Sequence, residues 1–359
     1  MAVSPLRLRH GILWSCPHWR CQNLSNIKIR ILFIGVKINS TKVFRIKREA
    51  YVAYFCKKIY RQLAMKLLSS LSEIPELTKP HVHIKDKDVL LEKINNLIAD
   101  GNKKLQIVTD FDHTLTRHQM DTGRIVLTSF GMLRECPSVP QYYRDEDNRL
   151  SNIYKPIEVD SEMGIEEKTK HMIDWYIAAH KLLVGMKLPK QELVEISKKM
   201  VECFRIGVKD LIMWSDKHQV PVLVFSAGLG ECVVAAMEAA NFLLPNVKVI
   251  SNFLALDKND TIVGIKGEVI HTYNKNEAVI KNTEYYEMVK ERNNVVLLGD
   301  NIGDAGMAEG MDHCDVIIKV GFLGRNVEAN LNNYMNKFDI VLVNDHTMDV
   351  ANAICKLML

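Results

Sequence analysis

Two carboxylates two residues apart are the first candidates for chemistry. Asp110 and Asp112 lie in the segment QIVTDFDHTLT, residues 106–116, directly after an apolar β-branched run. A short buried strand would bring both acids to its carboxyl end, where open α/β sheets bind their ligands. Like charges this close repel each other unless a cation lies between them or one is protonated. The pair therefore predicts a site for a hard divalent metal, and carboxylate oxygens suit Mg²⁺.

Three later segments carry polar side chains at strand ends or in loops. Ser226 follows the apolar run 221–225 and precedes small residues, a geometry in which helix amides bind a phosphate, although an ordinary N-cap serine has the same surroundings. Lys275, taken alone, would be a solvated loop residue. Asp300 lies in the segment GDNIGD, residues 299–304, whose glycines let the backbone turn close to an ion.

The order of these segments, DxDxT, Ser, Lys and GDxxGD, resembles the four motifs of the haloacid dehalogenase superfamily of phosphotransferases. The resemblance implies that Asp110 is the nucleophile and forms an aspartyl-phosphate, while Asp112 is the general acid and base. It implies that Mg²⁺ is bound by Asp110, Asp300 and the backbone carbonyl of Asp112. It also implies a phosphate-binding set, Ser226, Ala227 and Lys275.

From about residue 84 onward the chain closely resembles the cytosolic 5'-nucleotidase III family, through segments that include IVTDFDHTLTR, FSAGLGE and LLGDNIGDAGMAEG. The resemblance implies a Mg²⁺-dependent 5'-nucleotidase that hydrolyses pyrimidine nucleoside monophosphates such as CMP and UMP, 7-methyl-GMP, or both. Glu158 aligns with the cap glutamate that recognises the nucleobase in this family. Trp175 and Tyr176 could stack on a base, although an aromatic pair on an apolar helix is more often part of a core.

Three positions depart from the family pattern. His113 and His118 stand where the family usually has Met and Phe, and Ala179 stands where some pyrimidine-type relatives have Ser. A histidine at position 118 would stack more weakly on a base or make stacking sensitive to pH. The sequence therefore leaves the choice between pyrimidine and 7-methylguanine open.

Two other functions are alternatives to the nucleotidase. One is a related phosphatase for a different small phosphomonoester such as phosphoserine, which Glu158 in its family context argues against. The other is a non-catalytic relative that only binds a nucleotide, which the complete set of acids argues against.

The elements that would position these residues predict an α/β fold, a haloacid-dehalogenase-like doubly wound parallel sheet with an inserted, mainly helical cap. We expect the core at residues 81–116 and 220–359. The cap is expected at 117–219, because ~100 residues between two strands are too many for an ordinary connection. Helices are expected at 81–100, 165–183 and 190–218, residues 156–162 are expected to be a connection, and residues 262–272 are expected to form a hairpin.

Charge is distributed unevenly along the 359 residues. Residues 1–66 hold 14 Lys and Arg against one acid, Glu49, whereas the rest of the chain holds 33 basic and 42 acidic residues. An acidic body argues against nucleic-acid binding. We expect residues 1–66 to be a disordered extension, and a mitochondrial transit peptide, a basic membrane-surface arm or a later start at Met65 are the alternatives.

Two further features bear on where the chain works. The apolar run at 31–36 is too short to span a bilayer, so stable membrane insertion is not expected. The eight cysteines show no CxxC pair, so we expect neither a zinc site nor a disulfide framework. The expected protein is a cytoplasmic monomer whose partner is a small nucleoside monophosphate.

Overall fold

A computed structural model describes residues 67–359 apart from 161, 277–279, 282 and 309–313. The prediction for residues 1–66 lies outside these described residues. The strands are β1 (Val82–Ile84), β2 (Leu105–Thr109), β3 (Val222–Leu229), β4 (Val247–Asn252), β5 (Leu254–Leu256), β6 (Ile262–Ile265), β7 (Asn294–Gly299), β8 (Val316–Leu323) and β9 (Ile340–Val343).

The described helices follow the chain in the same way. They are α1 (Lys87–Asp100), α2 (Gln141–Val159), α3 (Ile165–Leu183), α4 (Lys190–Ser197), α5 (Val208–Lys217), α6 (Gly230–Ala239), α7 (Glu284–Val289), α8 (Val327–Lys337) and α9 (Asp349–Lys356). None of the helices in this part of the chain combines the length and the apolar character needed to cross a bilayer.

Seven strands form one sheet in the order β1-β9-β8-β7-β2-β3-β4. Every neighbouring pair is parallel except β1 with β9. Ile107 of β2 packs into one hydrophobic cluster and the next residue, Val108, into a second, so helices bury both faces of the sheet. The predicted doubly wound α/β fold is confirmed.

The register of the central strands sets the position of the candidate site. Thr109 at the end of β2 pairs with Val224 of β3 and with Leu298 of β7. Because these strands are parallel, the residues that follow them reach the same edge of the sheet. Asp110 is fixed there by its backbone N–H, which donates to the carbonyl of Leu298 at 3.0 Å.

The folded core begins earlier than the sequence predicted. Leu71 and Leu77 lie in two short 3₁₀ turns and Ile74 lies between the turns; all three are buried in the larger hydrophobic cluster, upstream of the expected start at residue 81. The helix predicted from residue 81 begins only at Lys87, after β1. Its N-cap, Asp86, accepts from the backbone N–H groups of the first turn, and this cap stops the helix from extending further toward β1.

The predicted connection at 156–162 is wrong in its first part. Residues 156–159 form the last turn of α2, which contains Pro156 and also carries Glu158. A proline removes one helical hydrogen bond and clashes with the carbonyl four residues earlier, so it is expected to break a helix. Here only three helical residues follow Pro156, and the lost bond falls near the end of the helix.

Helices predicted for the cap divide into two groups. Helix α3 has the predicted bounds, but the region 190–218 forms α4, a 3₁₀ segment (Lys198–Cys203) and α5. Helix α4 packs on α6, and α5 packs on α9, so both lie with the helices that flank the sheet. We therefore propose a smaller cap than residues 117–219, built around the packed pair α2 and α3.

The predicted hairpin at 262–272 is also wrong in its bounds. Strand β6 pairs with β5 upstream of it, so the hairpin runs from Leu254 to Ile265. The prediction began the hairpin at residue 262, which starts β6, the second of its two strands. Strand β5 has only three residues, too few to show a pattern of their own. The hairpin contacts α3 and so lies beside the cap helices.

Candidate active site

A buried lysine joins two carboxylates at the carboxyl end of β2. Lys275 Nζ donates to Asp110 Oδ1 at 2.6 Å and to Asp304 Oδ1 at 2.9 Å. All three side chains are at most 6% exposed. Removing an ion pair from water at this depth is costly unless its charges are matched, so the three groups depend on one another.

The protonation of Asp110 reflects its neighbours as well as its burial. The pKa of Asp110 is raised to about 7, mainly by burial and also by the charges of Asp304 and Asp112, while Lys275 opposes the rise. Burial by itself lowers the pKa of Lys275, but Asp110 and Asp304 outweigh burial and leave this pKa raised. Lys275 therefore stays charged, and its charge limits the rise in the pKa of Asp110.

Three carboxylates could hold a metal ion. Asp110, Asp300 and Asp304 each place a carboxylate oxygen within 4.8 Å of the others. Burial raises the pKa of Asp300, and the negative charges of Asp110 and Asp304 raise it further. Carboxylates this close together hold their protons more tightly because too little positive charge lies near them. An all-oxygen donor set of this kind fits a hard divalent cation such as Mg²⁺.

This group differs from the set predicted from the sequence in one member. Asp304 takes part in it, and its carboxylate also accepts from the backbone N–H groups of Asp300 at 3.2 Å and Asn301 at 2.9 Å. Asp112 was predicted to bind the metal through its backbone carbonyl, and its carboxylate is not in the group. The contribution of Asp112 through its backbone carbonyl stays a prediction.

The carboxylate of Asp112 is held by a serine that sequence analysis missed. Ser129 donates to it through its backbone N–H and through its hydroxyl, both at 2.6 Å. Burial raises the pKa of Asp112 to about 6, and the hydrogen bonds from Ser129 oppose the rise. A Cβ on Gly228 would lie 1.8 Å from the Ser129 hydroxyl, so only glycine leaves room for this contact. Ser129 lies 17 residues from Asp112 and in no recognisable motif, so no sequence signal could have found it.

The predicted phosphate-binding serine lies in an extended segment. Strand β3 continues through Ser226 to Leu229, and α6 begins only at Gly230, so the serine is not at the start of a helix as the sequence suggested. Ser226 is buried, and its hydroxyl accepts from the N–H of Gly228 at 3.0 Å. The next two residues, Ala227 and Gly228, line the cavity described below.

A cavity of about 700 Å³ lies over these acids. Its lining combines the residues at the strand ends with residues of α2 and α3, among them the predicted Glu158, Trp175, Tyr176 and Ala179. Glu158 Oε1 accepts from the Thr272 hydroxyl at 3.0 Å and from Asn301 Nδ2 at 3.4 Å. Burial raises the pKa of Glu158. The carboxylate of Glu158 thus joins α2 to two loops beside the acids.

Aromatic rings cover part of the cavity wall. Trp175 stacks on Tyr154 with ring centroids 5.8 Å apart and an angle of 10° between the planes. Tyr176 meets Trp175 edge-on at 6.2 Å and lies 6.3 Å from the ring of His271. Both predicted stacking candidates therefore line the cavity and also pack against other rings.

The two histidines that depart from the family pattern lie together in the same wall. Their ring centroids are 5.0 Å apart. Burial, with the charge of Arg325, lowers the pKa of His113 to about 3 and that of His118 to about 4. Both rings are therefore neutral at neutral pH. Arg325 Nε donates to His118 Nε2, which leaves the proton of the neutral His118 ring on Nδ1.

The chain is similar to known proteins over most of its length. A model of the family described as pyrimidine 5'-nucleotidase (UMPH-1) matches residues 113–359. The chain is 40% identical over 289 residues to the 7-methylguanosine phosphate-specific 5'-nucleotidase of Drosophila melanogaster, covering 80% of this chain and 90% of that one. The human protein of the same description is 33% identical over 282 residues, covering 79% and 94%.

A solved structure shows the same fold over most of the chain. The crystal structure of cytosolic 5'-nucleotidase IIIB bound to cytidine matches with a TM-score of 0.77 and 39% identity. The match covers 81% of this chain and 98% of that structure.

Proposed function

This chain belongs to the pyrimidine 5'-nucleotidase (UMPH-1) family, and we propose that it hydrolyses pyrimidine nucleoside 5'-monophosphates, 7-methyl-GMP or both to nucleoside and phosphate, with Mg²⁺ as cofactor. Relatives named for 7-methylguanosine phosphate and a similar structure bound to cytidine support both base classes. The proposal includes the expected cytoplasmic location and monomeric state, which cell fractionation and sedimentation would test.

One observation carries the proposed chemistry. The carboxylate of Asp110, buried and 2.6 Å from the Lys275 ammonium, faces a cavity large enough for a nucleotide. Asp110 attacks phosphorus, the bond to the 5'-oxygen breaks, and the phosphoryl group stays on Asp110 as a covalent intermediate. Lys275 places positive charge beside both the attacking oxygen and the phosphoryl group.

Asp112 is the proposed acid and base of the two steps. Its pKa of about 6 lies near neutral pH, which suits a group that must both give and accept a proton. Asp112 donates a proton to the leaving nucleoside oxygen in the first step. In the second step it takes a proton from the water that attacks phosphorus and releases inorganic phosphate. Ser129 fixes the carboxylate in one orientation through both steps.

The proposed metal site uses Asp110, Asp300 and Asp304, with the backbone carbonyl of Asp112 as a further oxygen donor. When bound, Mg²⁺ offsets the negative charge of the phosphoryl oxygens and the crowded carboxylates. Asp304 also has a structural role. Its carboxylate pairs with Lys275 and accepts hydrogen bonds from the backbone N–H groups of Asp300 and Asn301.

Glu158 is the proposed base-recognition residue. A carboxylate accepts from exocyclic amino groups and ring N–H groups, and its charge also suits the positive 7-methylguanine ring. Its position on α2, tied to Thr272 and Asn301, places it in the cavity wall beside the reacting groups. Trp175 or Tyr176 would stack on the base.

A phosphate-release assay tests the proposal. The substrates are CMP, UMP, 7-methyl-GMP, GMP and AMP, each with Mg²⁺ and with EDTA. We expect Mg²⁺-dependent release from CMP, UMP or 7-methyl-GMP and little from AMP. No release from any nucleotide by folded protein would contradict the proposed function.

A further inference from the structure

Part of the cavity wall carries positive charge that the proposed hydrolysis does not use. Arg325 lies in the loop between β8 and α8, Lys155 lies on α2, and both line the cavity. Among the described residues, neither side chain makes an ion pair with a carboxylate, and the ammonium group of Lys155 makes no hydrogen bond. The hydrogen bond that Arg325 donates goes to a neutral acceptor, His118. Cations without a partner in a cavity wall are suited to bind an anion.

The positive charges in this wall are close enough to act on one another. Burial lowers the pKa of Lys155, the charges of Arg134 and Arg325 lower it further, and the charges of Glu158 and Asp147 oppose the fall. Arg134 already has a counter-ion, since its Nε lies 2.5 Å from Asp147 Oδ2. Glu158 attracts Lys155 but forms no ion pair with it, so Lys155 and Arg325 still repel each other, and an anion between them would relieve this repulsion.

The beginning of α8 adds donors at the same place. Asn326 is the N-cap of this 11-residue helix, with a left-handed backbone at φ 46°, and its side chain does not cap the helix. The first amide N–H groups of a helix have no partner within the helix, and together with the helix dipole they favour an anion. Glu328, the acid in the first turn, is not among the residues that line the cavity.

A buried amide in the same wall points to a ligand independently of the helix end. Asn330 lies one turn into α8, is only 8% exposed and lines the cavity. Its side-chain amide makes no hydrogen bond within the part of the chain that the structure describes. This amide faces the cavity and could bind a ligand oxygen there.

Helix α8 also gives the distance between this place and the metal group. Tyr334, four residues after Asn330, donates its hydroxyl to the backbone carbonyl of Asp300 at 2.5 Å and lines the same cavity. With a rise of 1.5 Å per residue, Asn326 and Tyr334 are about 12 Å apart along the helix. Asp110 and Asn330 line the same cavity, so one ligand in it could contact both residues.

We propose that Arg325, Lys155, Asn330 and the first amides of α8 form a second phosphate-binding subsite in the cavity, separate from the reacting site at Asp110 and Lys275. The inference rests on the proposed function, because the same cavity holds the substrate. The phosphate has two sources, either a second phosphate on the ribose of a nucleoside bisphosphate substrate or free inorganic phosphate. In either case the 5'-phosphate is transferred to Asp110 and the second phosphate is only bound.

The first arm of the test compares hydrolysis of UMP and of uridine 3',5'-bisphosphate. The proteins are the wild type, Lys155→Gln/Arg325→Gln, and a charge-matched control, Arg149→Gln/Lys198→Gln, whose two residues are exposed and outside the cavity. We expect the ratio of kcat/KM for the bisphosphate to that for UMP to fall at least about tenfold in the first variant, because two charged contacts are lost. The control should keep the wild-type ratio.

The second arm titrates inorganic phosphate calorimetrically into the same three proteins. Free phosphate as the ligand predicts binding that weakens at least about tenfold only when Lys155 and Arg325 are changed. A third variant, Asn330→Asp, keeps the shape of the side chain and places a negative charge in the subsite. It should lower the same quantity as the double variant, either the kcat/KM ratio for the bisphosphate or the affinity for phosphate. A change in either arm supports the subsite and identifies the source of the phosphate.

Two outcomes separate the subsite from the proposed function. In the first, UMP is hydrolysed while neither the kcat/KM ratio nor phosphate binding changes in Lys155→Gln/Arg325→Gln or in Asn330→Asp. In that case the second subsite is wrong and the proposed nucleotidase function is unaffected. If the wild type hydrolyses neither nucleotide, the proposed function fails, and the titration alone then decides the subsite.

Discussion

Two parts of the cavity surface differ in how their charges are balanced. The floor consists of the residues at the strand ends, Asp110, Asp112, Lys275, Asp300 and Asp304. The wall consists of the residues around it, Lys155, Glu158, Trp175, His118 and Arg325. In the floor, Lys275 bridges Asp110 and Asp304 within 2.9 Å. In the wall, Lys155 and Arg325 have no acidic partner among the described residues.

The difference indicates that the floor and the wall have separate roles in the reaction. Floor groups are held in fixed positions by hydrogen bonds before any substrate arrives, which is the arrangement that stabilises a transition state. Lys155 and Arg325 in the wall can form an ion pair only with a ligand, so they contribute to the choice of substrate. Changes in the floor should therefore lower kcat or stability, whereas changes in the wall should alter the relative kcat/KM of different nucleotides.

The largest effect is expected from removing the proposed nucleophile. Asp110→Asn keeps the side-chain shape but cannot form the covalent intermediate, so kcat for UMP should fall at least about a thousandfold. Nucleotide binding, measured by calorimetry, should persist because the wall is intact. Asp210→Asn, an exposed residue of α5, is the matched control and should keep wild-type activity. Equal phosphate release by Asp110→Asn and wild type would overturn the assignment of the nucleophile.

Loss of the floor's cation should cost stability. Lys275→Met leaves the buried carboxylates of Asp110 and Asp304 unpaired, so the free energy of unfolding in EDTA should fall by about 3–5 kcal/mol. Lys198→Met breaks an exposed pair with Glu195 and should cost less than about 1 kcal/mol. Urea unfolding measures both, and equal losses would show that the buried pairs are not stabilising.

The same variant should respond to pH in a defined direction. The pKa of Asp110 in the folded protein is raised above its ordinary value of 3.8, to about 7, and removing Lys275 raises it further. The folded state then binds more protons than the unfolded state, so stability is lost as the pH rises from 3.8 through the folded pKa. The penalty of Lys275→Met should therefore be smaller at mildly acidic pH than at neutral pH. A penalty that grows on acidification would contradict this account.

A smaller effect is expected from displacing Ser129, which donates two hydrogen bonds to the carboxylate of Asp112. A methyl group at Gly228 would meet the Ser129 hydroxyl at 1.8 Å and Asp112 Oδ2 at 2.7 Å, so Gly228→Ala should misplace the proposed acid. We expect kcat to fall at least about tenfold, below the full contribution of a general acid because Asp112 is moved and not removed. Gly164→Ala, where an added Cβ meets nothing within 4 Å, is the control.

The smallest effect is expected in the wall. Glu158→Gln keeps the hydrogen-bonding shape but removes the charge, so the ratio of kcat/KM for 7-methyl-GMP to that for UMP should fall about tenfold. Glu166→Gln, an exposed acid in the first turn of α3, is the matched control. An unchanged ratio would mean that Glu158 does not select the charged base.

The sequence predicted the floor much better than the wall. Asp110, Asp112 and Asp300 stand in motifs whose spacing is fixed by strand ends, and the sheet brings them to one edge as expected. The role of Asp304 in pairing with Lys275 depends on where a loop more than 20 residues away returns to the sheet, which local pattern does not encode. The Ser129 contact to Asp112 was missed for the same reason.

The wall depends on tertiary packing that short-range signals do not specify. Pro156 was interpreted as part of a connection, whereas α2 continues through it and carries Lys155 and Glu158 into the cavity. Arg325 belongs to no motif, and it lies two residues after the end of β8 at Leu323. Base preference, which depends on this wall, was accordingly left open by the sequence.

The most direct test of the central claim is to trap the phosphoryl group on the floor. Wild-type protein mixed with UMP and Mg²⁺ would be quenched in acid within one turnover, digested and analysed by mass spectrometry. The account predicts a phosphorylated peptide modified at Asp110, absent from Asp110→Asn and from the EDTA sample. Rapid phosphate release without any such peptide, or a phosphoryl group on another residue, would contradict it.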